Sequence, residues 1–141
     1  MYIKMASSDE ELQHAISIRQ SVFVEEQDVP IEEELDEFDS TATHFVLYTQ
    51  NKPIGTGRCR LIYNTMKVER ICVLKSLRRS GAGKQIMLAI EHYAQNEGVS
   101  ILKLDAQTHA EGFYQKLGYR TTSEEFLDAG IPHVSMTKNL K

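Results

Sequence analysis

Apolar positions along this chain recur with two periods, and each change of period marks an element. Tyr2 to Met5 reads as a short first strand. Leu12, Ala15, Ile16, Arg19 and Phe23 then follow at helical spacing and mark one face. Ser8-Asp9-Glu10-Glu11 stands before them as a capping box, Ser at the N-cap and Glu at the third helical position, so a helix is expected from about Asp9 to Ser21. His44 to Thr49 and Ile54 to Tyr63 are strand-like runs separated by the turn residues Gln50-Asn51-Lys52-Pro53, a hairpin pattern. Gly55 and Gly57 inside the second run imply a bulge or the close approach of another element.

Val68, Ile71, Val73 and Leu74 read as a further strand, and Ala82, Ile86, Met87, Ile90, Tyr93 and Ala94 as the apolar face of a helix over Gly81 to Glu97. Ile101 to Ala106 is a strand. Thr108-His109-Ala110-Glu111 repeats the capping-box pattern and opens a short helix, with Ala110, Phe113, Tyr114 and Leu117 on one face and Gly118 at its C′ position. Tyr119 begins another strand, Ser123 to Gly130 reads as loop, and Ile131 to Lys138 is the last strand. Ile31 to Leu35 lacks a period and reads as loop or a short helical turn. The order predicts a mixed α/β sheet, and no repeat or linker divides it.

Composition narrows the class. The 141 residues suit one domain with a sizeable core, and 41% apolar with 26% charged residues is ordinary for a globular protein. No apolar run approaches the ~20 residues of a membrane span. The start Met1-Tyr2-Ile3-Lys4-Met5 lacks a charged-then-apolar leader, so the cytoplasm is the expected location. Cys59 and Cys72 lie in strand-like runs and read as buried and reduced; no C-x-x-C suggests metal or redox chemistry. A net charge of −4 argues against nucleic acid as the main partner. Its acids are concentrated between Glu25 and Asp39, where nine carboxylates occur without a Lys or Arg.

Candidate chemistry lies where the Val68–Leu74 strand meets the next helix. Arg78-Arg79-Ser80-Gly81-Ala82-Gly83 is a basic, glycine-bearing turn that opens the helix. The first turn of a helix has backbone N–H groups without intrahelical partners and a partial positive charge, so the turn is suited to phosphate. It is no P-loop: Arg78 stands where the first Gly belongs, and Gln85 replaces the hydroxyl after Lys84. It is no dinucleotide fingerprint either, since Ile86 replaces the third Gly.

The turn fits [RQ]-x-x-G-x-[GA] in full, and there the chain resembles the GNAT superfamily of acetyl-CoA-dependent N-acetyltransferases, in particular small bacterial single-domain members. Ala110-Glu111-Gly112-Phe113-Tyr114-Gln115-Lys116-Leu117-Gly118-Tyr119 resembles that family's A-x-x-F-Y-x-K-x-G-[FY] segment, and the element order agrees from end to end. Val22 to Gln27 and Gly130 to Met136 resemble the same bacterial subgroup. The resemblance implies a mostly antiparallel twisted sheet of about six to seven strands with flanking helices and a V-shaped splay between the central strands. It also implies acetyl-CoA as co-substrate without a metal, and a small-molecule amine acceptor; it admits a homodimer and points to neither nucleic acid nor membrane. Backbone groups of Arg79 to Lys84, with Arg78, Ser80, Gly81, Ala82 and Gly83 in the loop, would hold the pyrophosphate. Ile71, Cys72 and Val73 would run beside the pantetheine arm. Gln107 stands where many relatives carry Asn and would hydrogen-bond that arm. Tyr114 occupies the place of the family's general acid.

Acetyl transfer to an amine needs a base for the amine, a donor for the developing oxyanion and a proton for the leaving thiolate. A tyrosine hydroxyl, with an ordinary pKa of about 10, is matched to the last task; the plainer role for Tyr114 is a core aromatic. For the base, Glu26, Glu25, His133 and a water relay stay open. Cys72 between Ile71 and Val73 reads as packing rather than a nucleophile, which favours direct transfer. The acidic stretch is either a solvated loop or a field that attracts a cationic amine. A CoA-binding sensor or partner-binding module on the same scaffold is the alternative to an enzyme.

Overall fold

The computed structural model describes residues 1–140. Its elements are β1 (Tyr2–Met5), α1 (Asp9–Arg19), a π-helical segment (Gln20–Glu26), α2 (Ile31–Glu34), a 3-10 turn (Glu37–Ser40), β2 (Thr43–Thr49), β3 (Lys52–Ile62), β4 (Thr65–Val73), a 3-10 turn (Lys75–Leu77), α3 (Ala82–Asn96), β5 (Ile101–Gln107), a 3-10 turn (Thr108–Ala110), α4 (Glu111–Lys116), β6 (Arg120–Thr121), β7 (Phe126–Asp128) and β8 (Ile131–Asn139). The strand order is β1-β2-β3-β4-β5-β8-β6, with β7 on β8. The sheet is mixed: β4 and β5 are parallel, whereas β1–β2, β2–β3 and the pairings of β8 are antiparallel. The count is eight strands rather than six or seven. The addition is β7, inside the segment expected to be loop. Three residues are too few to show an alternation, and Ala129 (φ 52°) with Gly130 (φ 76°) makes the tight hairpin turn into β8.

The chain divides into two compact units, Met1–Cys59 with Arg70–Ile90, and Arg60–Glu69 with the chain from Glu91 onward. In the first, Gln50 and Asn51 take left-handed angles (φ 51° and 65°) and turn β2 into β3, as a two-residue hairpin requires. Ser8 caps α1 as expected, its Oγ accepting the Glu11 N–H at 3.2 Å. Glu11 reaches one residue further back than a simple capping box, accepting the Ser7 N–H at 2.8 Å, and pairs with Lys4. The helix does not stop near Ser21: it widens into the π-helical segment, closed by Gln27 N–H to Val22 C=O at 3.1 Å. Ile18 and Val22 cluster there with Cys72 of β4, flanked by Phe23 and Leu74. The glycines of β3 are there for close packing. A Cβ on Gly57 would lie 2.6 Å from Ile71 Cδ1, 2.8 Å from Ile86 Cγ2 and 3.0 Å from Ile90 Cδ1. Gly57→Ala is therefore expected to lower the unfolding free energy by about 1–3 kcal/mol, the scale of overpacking. A urea midpoint equal to wild type would show that the three isoleucines have room to retreat.

In the second unit, β4 pairs with β5 from Thr65↔Ile101 to Val68↔Leu104, and the ladder ends there. Two residues on, where the chain re-enters the first unit, Arg70 has φ 58°, a kinked strand position. Leu102, Leu104 and Ala106 of β5 are buried in alternation, with Met136 and Val134 of β8 opposite the last two. Gly118 (φ 99°) ends α4 as expected, with Tyr119 N–H to Tyr114 C=O at 3.1 Å and Gly118 N–H to Gln115 C=O at 3.0 Å. The second capping box does not form. Thr108 to Ala110 make a 3-10 turn first, α4 starts at Glu111 itself, and the Glu111 carboxylate accepts the Thr121 hydroxyl instead of returning to a cap. Glu91 is buried in α3, where it takes the Tyr119 hydroxyl at 3.2 Å and Lys138 Nζ at 2.9 Å.

Candidate active site

In the first unit, β4 ends at Val73, and a short 3-10 turn leads to Arg78, which is extended. Arg79 (φ 65°) and Gly81 (φ 89°) then take left-handed angles that reverse the chain into α3. The first helical bond runs from Gln85 N–H to Gly81 C=O at 3.1 Å, so the amides of Ala82, Gly83 and Lys84 precede the ladder. A Cβ on Gly81 would meet no atom within 4 Å, so the turn is open on that side. Arg79, Ser80, Gly81 and Lys84 are exposed. The residues therefore fit a polyanion: helix-start amides, an open turn and cationic side chains in one short segment.

Arg78 itself is occupied. Its Nε donates to Val73 C=O at 3.0 Å, and its two terminal nitrogens hold both carboxylate oxygens of Glu26 at 2.6 Å each. Hydrogen bonding from Arg78 keeps the Glu26 carboxyl below its ordinary range. A carboxylate so engaged is a weak proton acceptor. Glu25 is exposed.

The acidic stretch is neither simply solvated nor a field of nine free charges. Arg19, fully buried, binds Glu34 Oε2 and Asp39 Oδ1 at 2.7 Å each and Glu34 C=O at 2.8 Å. Arg58, also buried, binds Asp36 Oδ1 at 2.7 Å and Asp39 Oδ1 at 2.8 Å. Arg70 joins from β4, reaching Glu34 Oε2 at 3.1 Å and Asp36 Oδ2 at 3.2 Å. With Glu26 on Arg78, four carboxylates are engaged by arginine, while Glu25, Asp28, Glu32, Glu33 and Glu37 are exposed. Local pattern does not reveal these pairings, because the partners lie 15 to 36 residues apart along the chain. A signal was present: Arg19 falls on the apolar face of the first helix, where a cation needs buried anions.

Cys59 and Cys72 are both buried, as expected. Burial, with Glu34 nearby, pushes the Cys72 thiol far up, so it is no thiolate nucleophile. Its side chain packs on Ile18 and Val22.

In the second unit, Gln107 ends β5 opposite His133 of β8. The Gln107 side-chain oxygen Oε1 accepts His109 Nε2–H at 2.7 Å. His133 is buried, stacks on Phe126 with ring centres 6.0 Å apart, and donates Nδ1–H to Ile131 C=O at 2.7 Å, so that in a neutral imidazole Nε2 is the nitrogen that carries the lone pair. Tyr114 follows on α4, also buried, with its ring edge-on to Phe113 (5.0 Å) and Tyr119 (5.9 Å). His109 is exposed and bonded to Gln107.

Strand, basic turn and helix together define an α/β protein with a turn suited to a polyanion. The model of the acetyltransferase (GNAT) domain matches residues 5–140, and the chain belongs to the GNAT family of acetyltransferases. It is similar to an uncharacterized N-acetyltransferase of Bacillus subtilis (strain 168), YjcF, 51% identical over 136 residues that cover 96% of this chain and 97% of that one. Its fold is shared by ElaA of Escherichia coli, with a TM-score of 0.86 at 23% identity over 97% of this chain and 99% of that one. An aminoglycoside 6′-N-acetyltransferase complexed with coenzyme A has the fold too, with a TM-score of 0.77 at 14% identity over 100% and 98% of the two chains. The protein is thus an acyltransferase, and its family uses acetyl-CoA. Among the described residues no group of His, Cys, Asp and Glu is placed to hold a metal, and no helix is long and apolar enough to cross a membrane.

Proposed function

We propose that this protein transfers the acetyl group of acetyl-CoA directly to a primary amine of a small cationic acceptor in the cytoplasm, its 141 residues acting as one N-acetyltransferase domain. The observation that carries the reading is the turn from Arg78 to Gly83, whose left-handed Arg79 and Gly81 lead into α3 with the amides of 82–84 ahead of the helical ladder.

Acetyl-CoA supplies a thioester already activated toward an amine. Amides of Arg79 to Lys84 hold its pyrophosphate, with Arg78, Ser80, Gly81, Ala82 and Gly83 shaping the loop. The backbone of Ile71, Cys72 and Val73 offers a strand edge to the pantetheine arm, and Gln107 offers its amide. His133 Nε2 accepts the proton of the amine, directly or through water, and Tyr114 gives one to the leaving sulfur. The raised Cys72 thiol supports a direct transfer. The exposed carboxylates Glu25, Asp28, Glu32, Glu33 and Glu37 support a cationic acceptor through encounter rather than contact.

Thiol release from acetyl-CoA, measured over a panel of cationic, neutral and acidic amines, tests the reaction. CoA should raise the melting temperature by mass action. Gly83→Asp, which adds a side chain and a negative charge to the turn, should abolish that shift and leave the ligand-free melting temperature near wild type. A full CoA shift in this variant would place the ligand elsewhere.

A further inference from the structure

We infer that Glu26 is a positioning residue for the CoA-binding turn, acting through Arg78 rather than as a base; the inference rests on the reading of that turn given above. Arg78 is the first residue of the turn, and its guanidinium makes three hydrogen bonds. One goes to the C=O of Val73, the last residue of β4, and two go to Glu26, the last residue of the π-helical segment. The segment is in turn seated on β4, where Val22 packs against Cys72 with Phe23 and Leu74 beside them. A closed circuit results: β4 to turn through Val73 and Arg78, turn to π-helix through Arg78 and Glu26, π-helix to β4 through Val22 and Cys72. All of it lies in the first unit.

The circuit explains two features that packing alone does not. A π-helical turn is rare, seldom runs beyond one turn, and is frequent at functional sites. Here a widened helix carries Glu26 to Arg78, 52 residues further along the chain. The second feature is the left-handed Arg79, which has a Cβ and adopts φ 65° at a cost. Fixing the preceding side chain at three points keeps the turn in that form, so its amides are presented before any ligand arrives. Preorganisation of this kind appears as affinity, because the ordering cost is not charged to binding.

The test is Glu26→Gln, read first by hydrogen exchange of the amides of 78–84 in ligand-free protein, then by CoA affinity and steady-state kinetics. The pair is about a third exposed on each side (37% and 32%), so the variant should fold and melt close to wild type. Exchange in 78–84 should quicken, the Kd for CoA and the KM for acetyl-CoA should rise roughly fivefold to tenfold, the scale of one freed, rotamer-rich side chain, and kcat at saturation and its pH profile should stay as in wild type. In an Arg78→Gln background, adding Glu26→Gln should change none of these further. Unchanged exchange, whatever happens to affinity, overturns the inference. So does a fall in kcat with loss of the acidic limb of the pH profile at constant KM, the signature of a base. Exchange needs no ligand, so a wild-type protein that fails to bind CoA would sink the proposed reaction and leave the latch to be judged on exchange alone.

Discussion

Tyr114→Phe is expected to lower kcat by ~10²-fold or more, the usual scale for a positioned acid, with the Kd for CoA unchanged. The substitution removes one oxygen and keeps the ring. Tyr114 is buried, edge-on to Phe113 and Tyr119, and those contacts are made by ring faces and edges that Phe retains. The neighbouring hydroxyl is differently placed: Tyr119 donates its O–H to the buried Glu91, and burial beside that carboxylate pushes its pKa far up, so it holds that proton rather than releasing it. Turnover of the best acceptor measures the loss, and the melting temperature controls for packing. A kcat near wild type would leave Tyr114 a core aromatic and give the leaving sulfur its proton from solvent or another donor.

What could be read from the chain was what local chemistry decides. The turn at Arg78–Gly83 is written in contiguous residues, and so are the Ser8 cap, the Gly118 stop and the packing demand of Gly57. The family's two motifs are likewise contiguous. What could not be read depends on partners distant along the chain or on conformations without a residue signature. The π-helical widening after Arg19 has no composition of its own, since Val22 and Phe23 suit an α-helix as well. The hairpin turn at Ala129 uses a residue that rarely takes φ 52°. Glu26 reads as a free acid along the chain because Arg78, which holds it, lies 52 residues away. The acidic stretch differs for the same reason: charge counted along the sequence omits Arg19, Arg58 and Arg70, which pair with Glu34, Asp36 and Asp39. The roles proposed for His133 and Tyr114 in the second unit rest on the family resemblance, because a His on a strand and a Tyr on a helical face are ordinary core residues.

Glu34→Ala should destabilise the fold by about 3–5 kcal/mol, the scale for breaking a buried ion pair and leaving its partner uncompensated. Arg19 is fully buried and gives Nε to this carboxylate, and Arg70 leans on it from β4. The adjacent Glu33→Gln is exposed and should stay within about 0.5 kcal/mol of wild type. So the two neighbours, equal as charges in the sequence, separate by stability. The same network carries a pH dependence. Burial alone would raise Asp39, but hydrogen bonds and charges from Arg19 and Arg58 outweigh it and bring the carboxyl down to about 2 from its ordinary 3.8. A depressed carboxyl contributes stability that is present above its unfolded pKa and disappears as pH falls through the folded one, here from about 4 to about 2, and is worth about 2 kcal/mol. Asp36, also held low once Arg58 and Arg70 overcome its burial, adds in the same direction. Glu34 is pushed upward by burial against Arg70 and Arg19, so it titrates at higher pH and its protonation does not deepen the loss between 4 and 2. Urea midpoints measured from pH 6 to pH 2 should fall most steeply in that window. Asp39→Asn should start lower at pH 6 and lose stability less steeply below pH 4. An unaltered slope in Asp39→Asn, or a Glu34→Ala midpoint no lower than that of Glu33→Gln, would mean that Arg19 finds its compensation elsewhere.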